Sequence, residues 1–314
     1  MHAGVEIEPV LKASAQDLAC DLDLSDDEVT YLLNLADSVK ASPGRYADSL
    51  RGRYLSLLFE KPSLRTRLTF ELAIKQLGGD SVTASGPIGE REPIKDVARN
   101  LDRWTQGIVA RVFSQSTIEE LARWSKVPVI NALSDLYHPC QALADMLTLR
   151  EHFGALAGLN LTYVGDGNNV AHSLMISAAR LGVNFTIATP AGYLPKKEIV
   201  TEAQGLAAIS GATLRITNDP EAAVENANAV YTDVWASMGS EHEAEKRRKA
   251  FGKYQVNESL FSLAAPDAVF MHCLPAHRGD ETTDEVIESP QSVVFDQAEN
   301  RLHAQKALLL MLLD

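Results

Sequence analysis

The sequence predicts an α/β protein built from two parallel-sheet domains, and three observations carry that prediction. Short runs rich in Val, Ile and Tyr alternate with helical patterns along most of the chain. Strands separated by helices make βαβ units, whose parallel sheets are covered on both faces. At 314 residues the chain is too long for one simple core and suits two domains. Finally, a helical segment, CQALADMLTLREHFG, ends at Gly154, and a fresh strand series opens with LNLTYVGDGNN, which puts the domain break near 135–155.

Taken in order, the apolar runs predict strands at 53–58, 107–113, 127–133, 159–165, 184–189, 213–217, 229–234, 268–273 and 292–295. After the first run, KPSLRTR opens a helix that stops at Gly78-Gly79. In PIKDVARNLDRW, residues Ile94, Val97, Ala98, Leu101 and Trp104 recur at helical spacing and form one face. NVAHSLMISAARLG follows the GDGNN loop as another helix. The closing segment, ENRLHAQKALLLMLL, is apolar on more than one side, so it is expected to return to the first domain and pack there. No internal repeat or low-complexity linker interrupts the series.

Composition narrows the function classes. With 29 basic against 42 acidic residues the net charge is −13, which argues against a nucleic-acid partner. The start, MHAGVEIEP, has neither a basic nor an apolar leader region, and ALLLMLL is too short to span a bilayer. A soluble, cytoplasmic protein with no membrane contact is expected. Cys20, Cys140 and Cys273 are odd in number and widely spaced, unlike a disulfide frame or a zinc site.

Against this acidic background a basic cluster stands out. In Ser63-Leu64-Arg65-Thr66-Arg67, Pro62 blocks any helix from before it and Ser63 is suited to cap the one that follows. A helix N-terminus with hydroxyls and guanidinium groups makes an anion site, although a capped helix with two solvated arginines fits the same residues. The glycines of a Walker loop are absent. Arg111 lies inside a strand-like run, where it either points into a ligand crevice or occupies an edge. His138 and Gln141 stand three apart at a helix start and can reach one ligand, although a lone histidine is more often structural. GDGNN is half of a dinucleotide fingerprint, without the third glycine and without the acid that would hold a ribose. Asn169 at its end is well placed for a small ligand. Asp233 ends a strand before WASMGSE and either binds a cation or caps a turn. Cys273 ends another strand in HCLP, with Arg278 nearby; a nucleophile or a packed, inert thiol fits there. Arg301 begins the last helix as an anion ligand or a surface charge.

Together these pieces resemble one family. SxRTR, HPxQ, GDGNN, DxxxSMG, HCLP and ENR occur in this order in the aspartate and ornithine carbamoyltransferases, and the resemblance runs from about residue 50 to the C-terminus. SxRTR and HPxQ look like the carbamoyl phosphate site of the whole superfamily, and DVWASMG and HCLPAHRG like its ornithine branch. The resemblance implies two doubly wound parallel-sheet domains joined by two helices, here 136–152 and 298–312. A carbamoyl phosphate domain would occupy 1–136, with helix 298–314 packed back onto it, and an ornithine domain 137–297. It also implies a homotrimer with active sites shared between subunits.

The implied activity is transfer of the carbamoyl group from carbamoyl phosphate to the δ-amine of L-ornithine, giving L-citrulline and phosphate, a step of arginine biosynthesis. Residue by residue, Ser63, Leu64, Arg65, Thr66 and Arg111 would hold the phosphate. His138 and Gln141 would hold the carbamoyl carbonyl and amide, with Cys273, Leu274 and Arg301 against the same group. Asn169, Asp233, Ser237 and Met238 would bind ornithine. Arg65, Arg111, His138, Asp233 and Cys273 would be the catalytic set, with no metal or organic cofactor. Two positions depart from the family's pattern. Leu64 stands where many relatives have threonine, and Pro87, in SGPIGERE, stands near the place of a glutamine that reaches the neighbouring subunit. Competing readings are a carbamoyltransferase for putrescine, an acylated ornithine or aspartate, an NAD-dependent dehydrogenase, and a non-catalytic binding subunit.

Overall fold

A computed structural model describes residues 9–236 and 243–313. The chain divides into two compact units, Met1–Leu143 with Arg301–Asp314, and Ala144–Asn300.

In the first unit, α1 (Asp26–Ala41) is held at its start by a reciprocal cap. Ser25 Oγ accepts the N–H of Glu28 at 3.2 Å, and Glu28 Oε2 accepts the N–H of Ser25 at 2.7 Å. Strands β1 (Tyr54–Phe59), β2 (Asp80–Ser85), β3 (Gly107–Arg111) and β4 (Val129–Leu133) form one parallel sheet in the order β2-β1-β3-β4. Helices α2 (Arg65–Gln76), α3 (Ile94–Trp104) and α4 (Gln115–Trp124) connect them. From Leu55 to Phe59 β1 is buried throughout, as a strand covered on both faces must be. Ile94, Ala98 and Leu101 of α3 pack with Ile108, Ala110, Ile118 and Leu121.

Three sequence expectations are corrected here. Trp104 leaves the apolar face of α3 and is 68 % exposed. At 3.6 residues per turn it sits about 80° around the helix from Ile94. Strand β2 was absent from the apolar runs because it is an edge strand, DSVTAS, with only Val82 as a large apolar residue and little burial. Helix α2 begins one residue later than the Ser63 cap predicts: Leu64 is the capping residue, while Ser63 Oγ still accepts the N–H of Thr66 at 3.3 Å.

In the second unit, β5 (Asn160–Val164), β6 (Asn184–Ala188), β7 (Leu214–Thr217), β8 (Ala229–Thr232) and β9 (Val269–His272) form a parallel sheet in the order β7-β6-β5-β8-β9. The chain winds outward from β5 to β7, then crosses to β8. Ligands of such sheets bind at this reversal, beyond the strands' C-terminal ends. Val164 of β5 pairs with Thr232 of β8, so the loops after these strands lie side by side there. Helix α6 (Asn169–Arg180) is buried from Val170 to Arg180, with α7 (Lys197–Ser210) packed beside it. The smaller helices α8 (Pro220–Val224), α9 (Ala244–Phe251), α10 (Glu258–Phe261) and α11 (Asp284–Ile287) complete the unit.

The strand expected at 292–295 is not formed. Val293 and Gln291 each exchange one backbone hydrogen bond with Phe270, and the chain then turns into α12 (Val294–Leu313). Two helices join the units: α5 (Pro139–Phe153), which contains the 143/144 boundary, and α12, which contains 300/301. Within the second unit, Gln297 Nε2 donates to Asp145 Oδ1 at 2.7 Å, and Asn300 Nδ2 to Thr148 Oγ1 at 3.0 Å. The remainder of α12, from Ala304 through Met311, is buried, which accounts for its apolar residues on several sides. No helix among the described residues is long and apolar enough to cross a membrane.

Candidate active site

In the first unit, the end of β1 leads through Lys61 and Pro62 into the first turn of α2. Glu60 fixes the surrounding loops, accepting the backbone N–H of Ile88 at 2.9 Å and of Phe113 at 2.8 Å. Lys61 is buried, and its ammonium lies 4.7 Å from the ring centre of Phe113. Thr66, fully buried, is the point of convergence. Its Oγ1 accepts Nη2 of Arg301 at 2.7 Å and Nη1 of Arg111 at 3.4 Å. Arg111 is the last residue of β3, at the strand's C-terminal end.

His138 stands just before α5, and its carbonyl accepts the N–H groups of Gln141 and Ala142. Below it, Ser134 and Asn131 are tied to Gln115 Oε1 at 2.7 and 3.0 Å, which fixes the approach to the helix. Burial holds the His138 imidazole well below its ordinary protonation range, and the guanidinium groups of Arg301 and Arg111 add to this. His138 is therefore neutral at neutral pH, beside two permanent cations. Ser63, Arg65, Thr66, Arg111, His138, Gln141 and Arg301 all belong to this unit. A positive helix end, two guanidinium groups on one hydroxyl and a neutral imidazole suit a compact anion with a polar acyl group. Leu64 is 69 % exposed, and Pro87 is exposed beyond β2.

In the second unit, Asp233 follows β8 and Cys273 follows β9. The Cys273 thiol donates to Asp233 Oδ1 at 3.1 Å, and Asn168 Nδ2 donates to Asp233 Oδ2 at 2.9 Å. Asn169 is the first residue of α6. Gly167 has to be glycine, because a Cβ there would lie 2.3 Å from the backbone nitrogen of Pro195. Tyr163 and Tyr231 stack beneath with ring centres 5.7 Å apart. Burial raises both phenols well above their ordinary range, and nearby carboxylates, Asp233 among them, raise them further, so they stay neutral.

Leu274 has φ 56°, uncommon for a side chain branched at Cγ, and a cis bond joins it to Pro275. Its N–H donates to His272 Nδ1 at 2.8 Å, so that nitrogen presents a lone pair and the ring proton sits on Nε2. Nε2 then faces Glu281 Oε1 at 3.1 Å, and the same oxygen accepts the N–H of His277 at 2.6 Å. Asp233, His272 and Cys273 bring ligand-type atoms within 4.8 Å of one another. Both nitrogens of His272 are already engaged, however, so the trio lacks the third donor that a metal site requires.

The sequence motifs missed three groups. Asn168 carries a readable signal, an N-cap amide after a Gly-rich turn. Glu281 lies eight residues beyond Cys273 in an ordinary surface-like segment. Arg247 of α9 reaches the GDGNN loop, donating to Asp166 Oδ2 at 2.5 Å and to the carbonyl of Trp235 at 2.8 Å. This pairing commits Asp166 within the protein. Ser237 and Met238 lie outside the described residues. Arg278 is a surface residue paired with Asp284 and Glu288.

Both units match known proteins. The carbamoyl-P binding domain of the aspartate/ornithine carbamoyltransferase family matches residues 16–151, and the family's Asp/Orn binding domain matches 157–312. A Thermococcus kodakarensis protein named ornithine carbamoyltransferase is 50 % identical over 309 residues, 97 % of this chain and 98 % of that one. A Pyrococcus furiosus protein named ornithine carbamoyltransferase, anabolic, is 48 % identical over 309 residues, again 97 % and 98 %. A solved structure of ornithine carbamoyltransferase from Pyrococcus furiosus superposes with a TM-score of 0.93 at 49 % identity, covering 96 % of this chain and 97 % of that one. The chain belongs to the aspartate/ornithine carbamoyltransferase family.

Proposed function

We propose that this chain transfers the carbamoyl group of carbamoyl phosphate to the δ-amine of L-ornithine, giving L-citrulline and phosphate. The observation that supports this most is Thr66 with Arg111 and Arg301, beside a neutral His138, in the part of the chain that matches a carbamoyl-P binding domain. In this reading a carbamoyl phosphate domain takes 1–136 with helix 298–314, and an ornithine domain 137–297, with His138 and Gln141, at the start of the linking helix α5, serving the carbamoyl group. Ser63, Leu64, Arg65, Thr66 and Arg111 bind the phosphate, Leu64 through its backbone N–H. His138, Gln141 and Arg301 bind the carbamoyl group, with Cys273 and Leu274 against it. Asn169, Asp233, Ser237 and Met238 bind ornithine.

The δ-nitrogen lone pair forms a bond to the carbonyl carbon, and the carbonyl π pair moves onto oxygen. Neutral His138 donates its ring N–H to that oxygen, and Arg111 and Thr66 stabilise the same charge. The intermediate collapses by breaking the bond between carbon and the bridging oxygen. Phosphate leaves with the electron pair, neutralised by Arg65, Arg111 and the α2 N-terminus. The oxyanion pair returns to the carbonyl bond, the nitrogen gives its proton to the departing phosphate, and no covalent enzyme intermediate forms. Holding amine and carbonyl in line supplies several kcal/mol of the barrier. The hydrogen bond to Asp233 gives the Cys273 thiol an orienting role toward the amino acid.

The same reading makes the protein a cytoplasmic homotrimer with active sites shared between subunits, working toward citrulline for arginine biosynthesis. A panel of acceptors tests the substrate. Ornithine should be carbamoylated, and putrescine, N-acetylornithine and aspartate should not. Faster product formation from any of the other three would replace ornithine as the substrate.

A further inference from the structure

We infer that Asn168 is the positioning residue that aims the Asp233 carboxylate at the amino-acid substrate. The inference rests on the reading of Asp233 as the group that receives ornithine's α-ammonium. Asn168 precedes α6, and its side-chain oxygen accepts the N–H of Val170 at 3.0 Å and of Ala171 at 3.1 Å. The hydroxyl of Tyr163 approaches the same oxygen at 3.3 Å. Backbone N–H groups can only donate, so they settle which end of the amide is oxygen. The nitrogen end is thereby directed at Asp233 Oδ2, 2.9 Å away.

The other carboxylate oxygen is held by the Cys273 thiol at 3.1 Å. An ionised carboxylate accepts about four hydrogen bonds, one or two at each oxygen. Asn168 and Cys273 occupy one direction at each, which fixes the plane of the group and leaves the remaining directions for a ligand ammonium. Asn168 thus couples two structural facts. The cap that starts α6 and the orientation of Asp233 depend on one amide, and the register of the GDGNN loop fixes both. A residue that only caps the helix would have no reason to carry an arm toward β8; serine would serve.

That contrast supplies the test. Asn168→Ser keeps a cap oxygen for Val170 and Ala171 but is too short to reach Asp233. Asn168→Ala removes both functions. If Asn168 positions Asp233, Asn168→Ser melts close to the parent protein and keeps its KM for carbamoyl phosphate, while kcat/KM for ornithine falls about 10- to 100-fold, as loss of a hydrogen bond to a charged group predicts. Asn168→Ala shows the same ornithine defect together with a lower melting temperature. Parent-like ornithine kinetics in Asn168→Ser would overturn the inference and reduce the residue to a cap. Asp233→Asn is the parallel control. If it leaves ornithine kinetics unchanged, the reading of Asp233 fails. If it raises the ornithine KM while Asn168→Ser does not, only the positioning role fails.

Discussion

Replacing Thr66 with valine removes the hydroxyl on which Arg111 and Arg301 converge and leaves nearly the same volume. The side chain is fully buried, so water does not take over the lost role. The hydroxyl accepts Arg301 Nη2 at 2.7 Å, within the charge-assisted range, and Arg111 Nη1 at 3.4 Å, at the limit of a useful bond. A hydrogen bond involving a charged group contributes about 1.5–3 kcal/mol, and we assign about 2 kcal/mol to the shorter bond and little to the longer. At 1.36 kcal/mol per factor of ten, this is roughly a 30-fold loss. Steady-state kinetics should show the loss in kcat/KM for carbamoyl phosphate at saturating ornithine. Thr66→Ser keeps the acceptor and should recover all but a few-fold. The unliganded Thr66→Val protein should also melt a few degrees lower, since the two guanidinium groups have lost their shared acceptor. Thr66→Val with unchanged carbamoyl phosphate kinetics and unchanged melting would refute the idea that this hydroxyl aims the arginines.

Cys273→Ser should weaken ornithine use by about tenfold with little change for carbamoyl phosphate, and mass spectrometry of the working parent enzyme should find no carbamoylated Cys273; such an adduct would replace direct attack with a two-step route. His272→Asn places an acceptor where Nδ1 now holds the Leu274 N–H, whereas His272→Gln mimics Nε2. The asparagine variant should therefore retain more ornithine activity than the glutamine variant, and the reverse order would remove the role of the Leu274 bond. Burial alone would raise the carboxyl of Glu28, but N–H groups of Ser25 and Ser14 outweigh it and hold it at about 2. Its folded value lies below its ordinary 4.5, so its contribution is complete above about pH 4.5 and is lost as pH falls toward 2. Glu28→Gln should cost about 1–2 kcal/mol at neutral pH and flatten acid unfolding in that window, which pH-dependent urea titration would read.

What could be read from the sequence follows from how local each signal is. Pro62, Ser63 and the hydroxyl-arginine alternation mark the start of α2 within a few residues, so the helix start is legible on its own, whereas the same residues fit an anion site and a solvated face alike. Arg111 was legible as an anomaly, a charge inside an apolar run, though not as the last residue of β3. The convergence of Arg111 and Arg301 on Thr66 was not, because Thr66 and Arg301 are 235 residues apart and only the fold brings them together. Strand β2 escaped because an edge strand lacks the apolar run that burial imposes on β1. Val293 and Val294 read as strand because β-branched residues adjoin there, yet Val293 makes a single backbone bond to Phe270 and Val294 is already the first residue of α12. Asn168 and Glu281 act by holding other side chains, and such roles depend on partners distant in sequence. Asp233 is 65 residues from Asn168, and its loop became its neighbour only through the pairing of β5 with β8.

Carbamoyl phosphate labelled with 18O at the bridging oxygen tests the central claim most directly. Incubated with the protein and L-ornithine, it should yield citrulline and inorganic phosphate one for one, with the label retained in the phosphate, because attack at the carbonyl carbon breaks the carbon–oxygen bond. Phosphate released without citrulline, or label recovered in carbon dioxide, would contradict transfer of the carbamoyl group to ornithine.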